Sequence, residues 1–148
     1  MKIMLLSPSG AFAAAMESLA DGESTYSTVL VAAHAVDLPT DATLIRLGDT
    51  ALAPEGRLLK ALDRTMIGRN IKRLPPLDGG HRFAARARRS HEFRSAAAEA
   101  DLIVALERDA VLAAWTALRS WSKPHARGVF GLAPARAVLA ALRAAQEQ

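Results

Sequence analysis

The residues with the most chemical potential follow a short apolar run near the start of the chain. Ser7, Ser9 and Gly10 separate Lys2–Leu6 from an alanine-rich stretch. Free backbone N–H groups at such a turn can hold a phosphate or a carboxylate, and a glycine there lets a ligand approach closely. A serine at this place can also act as the N-cap of the following helix, which requires no ligand. The turn is therefore predicted to be either an anion-binding loop or a capped helix start.

Two other groups of polar residues end apolar runs. His34 ends the run Ser27–His34, where it could act as a general base, contact a substrate hydroxyl or be a half-exposed loop residue. Glu107 and Arg108 follow the apolar run that begins at Asp101. Glu107 could accept hydrogen bonds from sugar hydroxyls or act as a carboxylate base, and it could equally place a favourable charge at a helix N-terminus.

Several kinds of site are excluded by missing residues or by their spacing. The sequence contains no cysteine, so it has neither a disulfide framework nor a thiolate site. Its four histidines show no H-x-x-x-H or H-E-x-x-H spacing. The glycine fingerprint G-x-G-x-x-G, the loop G-x-x-x-x-G-K-[ST] and the nucleophile elbow G-x-S-x-G are also absent. We therefore expect no metal and no cofactor, and no residue is assigned a catalytic role.

The apolar and polar pattern predicts the elements that carry these residues. Apolar runs bounded by turn residues predict strands, and helical periodicity predicts the segments between them. The predicted strands are Lys2–Leu6, Ser27–His34, Ala42–Asp49, Asp101–Glu107 and a short one around Val129 and Phe130. The predicted helices are Ala11–Ala20, Ala53–Ile71, Phe83–Ala100, Arg108–Trp121 and Pro134–Arg143. An exposed loop is predicted over Lys72–Arg82, because its Pro-Pro and Gly-Gly pairs oppose helix formation.

Apolar strands that alternate with helices are typical of one fold class. They predict an α/β fold, with a single Rossmann-like domain over residues 1–148, a mostly parallel sheet of about five strands and helices on both faces. In such a sheet, ligands bind beyond the carboxyl ends of the strands. This rule selects four places for a site: Ser7–Ala11, His34–Asp37, Gly48–Thr50 and Glu107–Arg108.

A basic segment occupies the middle of the chain. Eleven basic and three acidic residues lie between Arg57 and Arg94, whereas the whole chain has a net charge of only +4. The segment is predicted to form a helix-loop-helix over about residues 53–100. Its cations would meet an anionic membrane surface or a nucleic acid, or simply cover a solvated helix face. The residues predicted to form this anionic-surface-binding set are Arg64, Arg69, Lys72, Arg73, Arg82, Arg86, Arg88 and Arg89.

The sequence also bears on location. Pro8 interrupts the apolar residues after Lys2 too early for the core of a signal peptide, and no run approaches the roughly 18 apolar residues of a transmembrane span. Absence of cysteine fits a reducing compartment. We expect a cytoplasmic protein that is not transmembrane, with peripheral association at the inner face of the membrane through the basic segment.

The order of these segments is similar to that in a known family. The segments are MKIMLLSPSGAFAAAMESLA, TVLVAAH, ATLIRL and AAAEADLIVALERDAVLAAW. Together they resemble the N-terminal Rossmann-like half of GT-B glycosyltransferases, in which a later ADLIVA-like strand leads into a helix. The resemblance implies a domain that binds the acceptor, while the donor half, which binds the nucleotide-sugar, would belong to a partner subunit. It also implies that basic and apolar elements engage the membrane that carries a lipid acceptor, and that this domain does not transfer sugar alone.

We therefore predict that the domain binds a glycan, a nucleotide or another phosphorylated ligand beyond the strand ends. The residues predicted to line the ligand are Ser7, Ser9, Gly10, Ala11, His34, Glu107 and Arg108. Two alternatives remain open. One is a non-enzymatic binding or assembly module that forms homo-oligomers through alanine-rich helix faces such as Ala135–Ala145. The other is a basic domain that binds nucleic acid or an anionic membrane.

Overall fold

Short apolar runs form one parallel sheet in the computed structural model, which describes residues 1–20, 26–36, 42–48 and 78–146. Within these residues the sheet has five strands, β1 (Lys2–Leu6), β2 (Ser27–Ala32), β3 (Thr43–Arg46), β4 (Leu102–Ala105) and β5 (Arg127–Phe130). They pair in the order β3-β2-β1-β4-β5, and every pairing is parallel. The predicted fold class, a Rossmann-like α/β domain with a parallel sheet, is confirmed.

Helices cover both faces of this sheet. Those in the described part of the chain are α1 (Ala13–Ala20), α2 (Gly79–Arg89), α3 (His91–Glu99), α4 (Val111–Ser120) and α5 (Leu132–Gln146), and a 3-10 turn, Arg108–Ala110, precedes α4. Helices α1 and α5 pack on one face, whereas α2, α3 and α4 pack on the other. None of these described helices is both long enough and apolar enough to cross a bilayer.

Strand β1 contributes to the core on both faces of the sheet. Alternate side chains of a strand point to opposite faces. Met4 and Leu6 therefore join the core beneath α2, α3 and α4, whereas Ile3 and Leu5 join the core beneath α1 and α5. All four side chains are fully buried. Burial of one large aliphatic side chain contributes about 1.5–3 kcal/mol, so both cores depend on this strand.

The single helix predicted over Phe83–Ala100 is wrong, because two helices meet at Ser90. The backbone of Ser90 is extended, with φ −75° and ψ 120°, and its hydroxyl accepts a hydrogen bond from the N–H of Phe93 at 3.1 Å. Serine is a preferred N-cap residue. It ends α2 and begins α3, and Phe83 and Phe93 both enter the same core.

The loop predicted over Lys72–Arg82 is wrong in its last part, because α2 begins at Gly79. A Cβ at Gly79 would overlap the carboxylate of Asp109, and a Cβ at Gly80 would lie 3.4 Å from the Asp109 carbonyl oxygen. Gly79 therefore allows the first turn of α2 to pack closely on the 3-10 turn, whereas a Cβ at Gly80 would make only an ordinary contact. The carboxylate of Asp109 also suits the positive end of the helix dipole.

Other predicted elements are present with shorter or longer bounds. Strands β2, β3 and β4 end two or three residues before the predicted ends, α1 begins two residues later, and α5 begins at Leu132 with Pro134 in its first turn. The predicted helix Ala53–Ile71, the first part of the predicted loop and the candidate residues Asp37, Asp49 and Thr50 lie outside the described residues.

A carboxylate connects the amino ends of β1 and β4 with the segment before β5. Asp101 accepts hydrogen bonds from the Lys123 ammonium at 2.7 Å and from the backbone N–H of Lys2 at 2.8 Å. The bond from Lys123 is the main reason why the pKa of Asp101 lies below its ordinary value. Partial burial opposes this effect, and the N–H of Lys2 adds to it.

The replacement Asp101→Asn should lower the free energy of unfolding at neutral pH and make that free energy less sensitive to acid pH. Because the folded-state pKa is lowered, the charged carboxylate stabilises the fold above its ordinary pKa of 3.8, and this contribution is lost as the pH falls through the folded value. Urea denaturation at about pH 7 should show that the free energy of unfolding falls by about 1–2 kcal/mol. The difference from the unaltered protein should shrink below about pH 4.

Glu99→Gln is the control for this prediction. It removes an exposed carboxylate at the same edge of the sheet, paired with Lys2 at 2.5 Å. Exposed ion pairs contribute little, so we expect a much smaller change. A loss in Asp101→Asn that does not diminish as the pH falls below about 4 would contradict the assignment, since protonation of the carboxylate removes the same contribution as the replacement does.

Candidate functional site

The chain leaves the two central strands, β1 and β4, toward opposite faces of the sheet. After β1 it continues to α1, and after β4 it continues through the 3-10 turn to α4, which packs on the other face. The loops Ser7–Phe12 and Leu106–Asp109 therefore diverge at the carboxyl ends of adjacent strands. In open α/β sheets, this switch point is where ligands bind.

Ser7, Ser9 and Glu107 meet at the switch point and form what we term the serine–glutamate cluster. The hydroxyls of Ser7 and Ser9 both donate to Oε1 of Glu107, and the N–H of Ser9 donates to Oε2 at 3.3 Å. The two hydroxyl oxygens are 3.5 Å apart. Ser7 and Glu107 are 100 positions apart in the sequence, so the fold alone brings them together.

Ser7 orients the rest of the cluster. Its side chain is fully buried, and its hydroxyl accepts a hydrogen bond from the N–H of Ala11 at 2.9 Å while donating to Glu107. Its own N–H donates to the Val31 carbonyl at 3.0 Å, which extends the ladder between β1 and β2 by one residue. A buried hydroxyl must have its hydrogen bonds satisfied, and the partners of Ser7 hold both the turn and the carboxylate.

The backbone N–H groups of the turn after β1 donate hydrogen bonds to acceptors within the protein. Four successive N–H groups, from Ser9 to Phe12, have acceptors. In chain order these are Glu107 Oε2 at 3.3 Å, the Ser7 carbonyl at 3.0 Å, the Ser7 hydroxyl at 2.9 Å and the Gly10 carbonyl at 2.9 Å. A phosphate at Ser9 and Gly10 would compete with a carboxylate that also repels it. The geometry therefore does not favour an anion cradle here.

Ser9 does not cap the following helix, which was the other prediction for this residue. Helix α1 begins at Ala13, and its first turn includes a hydrogen bond from the N–H of Met16 to the Phe12 carbonyl at 2.8 Å. The exposed Ser9 hydroxyl donates to Glu107 instead. Its place in the structure is thus explained by the carboxylate.

Gly10 is required by both its conformation and its packing. Its φ is 84°, in the left-handed region that residues with a Cβ rarely adopt. A Cβ at this position would overlap the Cγ2 methyl of Val36, which follows β2. Gly10 thus allows the turn after β1 to pack closely against the loop after β2.

The remaining predicted ligand residues lie at the same edge of the sheet but outside the serine–glutamate cluster. Ala11 is exposed and contributes only its N–H, to Ser7. His34 is exposed beyond the end of β2, and Arg108 is exposed at the start of the 3-10 turn. Within the described part of the chain, no hydrogen bond joins the side chain of His34 or Arg108 to the cluster.

Half of the predicted anionic-surface-binding set lies on α2. Arg88 and Arg89 are exposed near its C-terminal end, whereas Arg82 and Arg86 are partly buried. The other four members of the set, Arg64, Arg69, Lys72 and Arg73, lie outside the described residues.

The structure also contains a cleft of about 370 Å³ that was not predicted from the sequence, and we call it the Trp115 cleft. Its lining residues are Asp78, Gly80, His81, Arg108, Asp109, Val111, Leu112 and Trp115. A tryptophan in an apolar helix pattern usually indicates a core residue, yet Trp115 is 53% exposed. Among the described residues, no group of three or more side chains is suited to hold a metal ion.

The chemical capacity of the site resides in Glu107. A carboxylate has about four lone-pair positions for hydrogen bonds, and the protein supplies three donors, one of them at 3.3 Å. Glu107 is partly exposed, so a ligand can reach it. The carboxylate is thus held in one orientation while it retains the capacity to accept a hydrogen bond from a ligand.

No family model, curated protein or solved structure matches this chain. The geometry of the serine–glutamate cluster is therefore the basis for assigning a function.

Gly10→Ala should destabilise the fold through both strain and overlap. The left-handed backbone costs about 1–2 kcal/mol with a Cβ, and overlap with Val36 adds about 1–3 kcal/mol. Gly131→Ala is the matched control, because Gly131 also has a φ of 84° but no atom lies within 4 Å of its Cβ position. Urea denaturation should show the larger loss for Gly10→Ala. Val36→Ala in the same chain should reduce that extra loss, and equal losses in the two single variants would contradict the close packing.

Proposed function

We propose that this domain binds a glycan, or another neutral ligand rich in hydroxyl groups, beyond the carboxyl ends of β1 and β4. The observation that carries the proposal is the orientation of the Glu107 carboxylate by the hydroxyls of Ser7 and Ser9. An ionised carboxylate accepts hydrogen bonds and donates none, so sugar hydroxyls are suitable partners. Hydrogen bonds to a charged acceptor are about twice as strong as neutral ones.

Among the ligands considered, a glycan fits better than a nucleotide or another phosphorylated compound. The backbone donors from Ser9 to Phe12 are already used, and the negative charge of Glu107 opposes a second anion at the same turn. The exposed hydroxyl of Ser9 adds a group that can exchange hydrogen bonds with a sugar hydroxyl.

The glycan would serve as the acceptor of a glycosyltransferase. The strand order β3-β2-β1-β4-β5 is the order found in Rossmann-like units, the fold that each half of such an enzyme has. The sequence also resembles the acceptor half of GT-B glycosyltransferases. Such an enzyme needs a second Rossmann-like half for the nucleotide-sugar, so this domain alone is expected to bind glycan without transferring sugar.

Saccharide binding by Glu107→Gln tests the role of the carboxylate. The probes are glucose, N-acetylglucosamine, maltotriose, cellotriose and chitotriose, measured by calorimetry. Glutamine retains the shape and one acceptor oxygen but removes the charge. The affinity for every probe that binds should fall by about 10-fold or more.

Glu99→Gln is the matched control, since it makes the same chemical change at the opposite edge of the sheet, where Glu99 pairs with Lys2. It should bind saccharides as the unaltered protein does. The proposal is wrong if none of the five probes binds, or if Glu107→Gln binds them with unchanged affinity.

A second candidate function is attachment to an anionic membrane surface. Arg88 and Arg89 are exposed at the end of α2, and Arg94 is exposed on α3, which begins after the single residue Ser90. Three exposed cations thus lie within seven residues around the junction of α2 and α3. Each Lys or Arg near an anionic membrane contributes about 1 kcal/mol. Such attachment would hold the domain at the surface that carries a lipid-linked acceptor.

Cosedimentation with vesicles of phosphatidylcholine and phosphatidylserine tests this attachment. Arg88→Glu/Arg89→Glu should weaken binding by at least about 10-fold at low salt, and binding of the unaltered protein should weaken as salt rises. Arg127→Glu/Arg136→Glu is the control, because it makes the same charge change at exposed positions on β5 and α5. Equal weakening in the two variants, or preference for duplex DNA over the vesicles, would contradict a local membrane-binding surface.

A further inference from the structure

The Trp115 cleft lies beside the serine–glutamate cluster. Arg108 and Asp109, which line the cleft, directly follow Glu107 in the chain. The volume of about 370 Å³ lies in the range of small-molecule pockets, about 300–1,000 Å³. A ligand that extends from Glu107 along the 3-10 turn therefore reaches a second concave surface.

An exposed aromatic side chain forms one wall of this cleft. Helix α4 presents Ala113, Ala114 and Ala117 to the core, whereas Trp115 and Val111 are 53% and 42% exposed. Exposed large apolar side chains next to each other often mark binding sites. The guanidinium of Arg119 lies 5.2 Å from the centroid of the Trp115 ring, an attractive contact that restrains the indole.

Polar groups form the remainder of the wall. Asp78 and Asp109 supply carboxylates, and the side chain of Asp78 lies 3.3 Å from the ring nitrogen Nδ1 of His81. The carboxylate of Asp109 lies next to Gly79 at the start of α2. Arg108 adds a donor that is always charged. The cleft thus combines an apolar platform with both donors and acceptors of hydrogen bonds.

We propose that the Trp115 cleft is a second saccharide subsite, which holds a further sugar ring of the glycan bound at Glu107. The indole of Trp115 would receive the C–H face of that ring, and Asp78, Asp109 and Arg108 would bind its hydroxyls. Two carboxylates against one arginine oppose the phosphates of a nucleotide. This subsite rests on the proposed function, and it makes the preferred ligand an oligosaccharide rather than a monosaccharide.

Trp115→Ala distinguishes the subsite from the site at Glu107. The probes are the same trisaccharides, maltotriose, cellotriose and chitotriose, together with glucose and N-acetylglucosamine. We expect the affinity for any of the trisaccharides that binds to fall by about 10-fold. The affinity for the monosaccharide of which that trisaccharide is built should change by less than about twofold. Trp115→Phe keeps an aromatic face and should retain most of the affinity, and thermal unfolding of both variants verifies that they fold.

Fluorescence gives an independent measurement of the same contact. The chain contains two tryptophans, and Trp121 packs edge-on against Phe93 with ring centroids 6.1 Å apart. In a Trp121→Phe variant, Trp115 is the sole indole, so its emission should change when a trisaccharide binds. An unchanged emission with a saturating trisaccharide would overturn the subsite.

The remaining outcomes separate the two proposals. If Glu107→Gln weakens trisaccharide binding and Trp115→Ala does not, the subsite is wrong and the proposed function stands. If Trp115→Ala alone weakens binding, the cleft is a saccharide site and the assignment of Glu107 is wrong. If no probe binds the unaltered protein, both proposals are wrong.

Discussion

Strand β1 has a hydrogen-bonded neighbour on each edge and a helical layer on each face, so Ile3–Leu6 are completely removed from water. Its parallel partners β2 and β4 place three strand ends at one edge of the sheet. From β1 the chain crosses to β2 through α1, and from β4 it crosses in the opposite direction to β5 through α4. The switch point exists because of this change of direction. The position of the candidate site is therefore set by the central place of β1 in the strand order.

The same burial determines the chemistry next to β1. Ser7 continues the strand by one residue and remains fully buried, so its hydroxyl requires partners inside the protein. One partner is the N–H of Ala11, which shapes the turn, and the other is the carboxylate of Glu107. Because the buried hydroxyl of Ser7 needs a partner, it also orients the partly exposed carboxylate of Glu107. Gly10 completes the arrangement, because its left-handed backbone and missing Cβ let the turn pack against Val36.

The strands, and the edge of the sheet at which the serine–glutamate cluster lies, could be predicted because these features depend on local patterns. Short apolar runs followed by turn residues indicate β1 and β4. The carboxyl ends of parallel strands lie at the same edge of a sheet, so the residues that follow both strands are expected there. The pairing of Ser7 with Glu107 could not be predicted, since it depends on a register between residues 100 positions apart. Gly79 and Gly80 locally favour a loop, but they begin α2, and the close approach of Gly79 to Asp109 depends on a contact that is distant in the sequence. The exposure of Trp115 could not be predicted, because periodicity does not show which side of a helix lacks a neighbour.

The carboxylates at the two edges of the sheet have different partners, and this difference determines the chemistry of the candidate site. At the amino edge, Asp101 and Glu99 contact the ammonium groups of Lys123 and Lys2. At the carboxyl edge, Glu107 is held by hydroxyls and one N–H, and no lysine or arginine among the described residues pairs with it. An ion pair compensates the charge of a carboxylate, whereas hydroxyl donors orient the group and leave its charge uncompensated. A fixed carboxylate of this kind gains most from further donors, which a ligand rich in hydroxyl groups supplies.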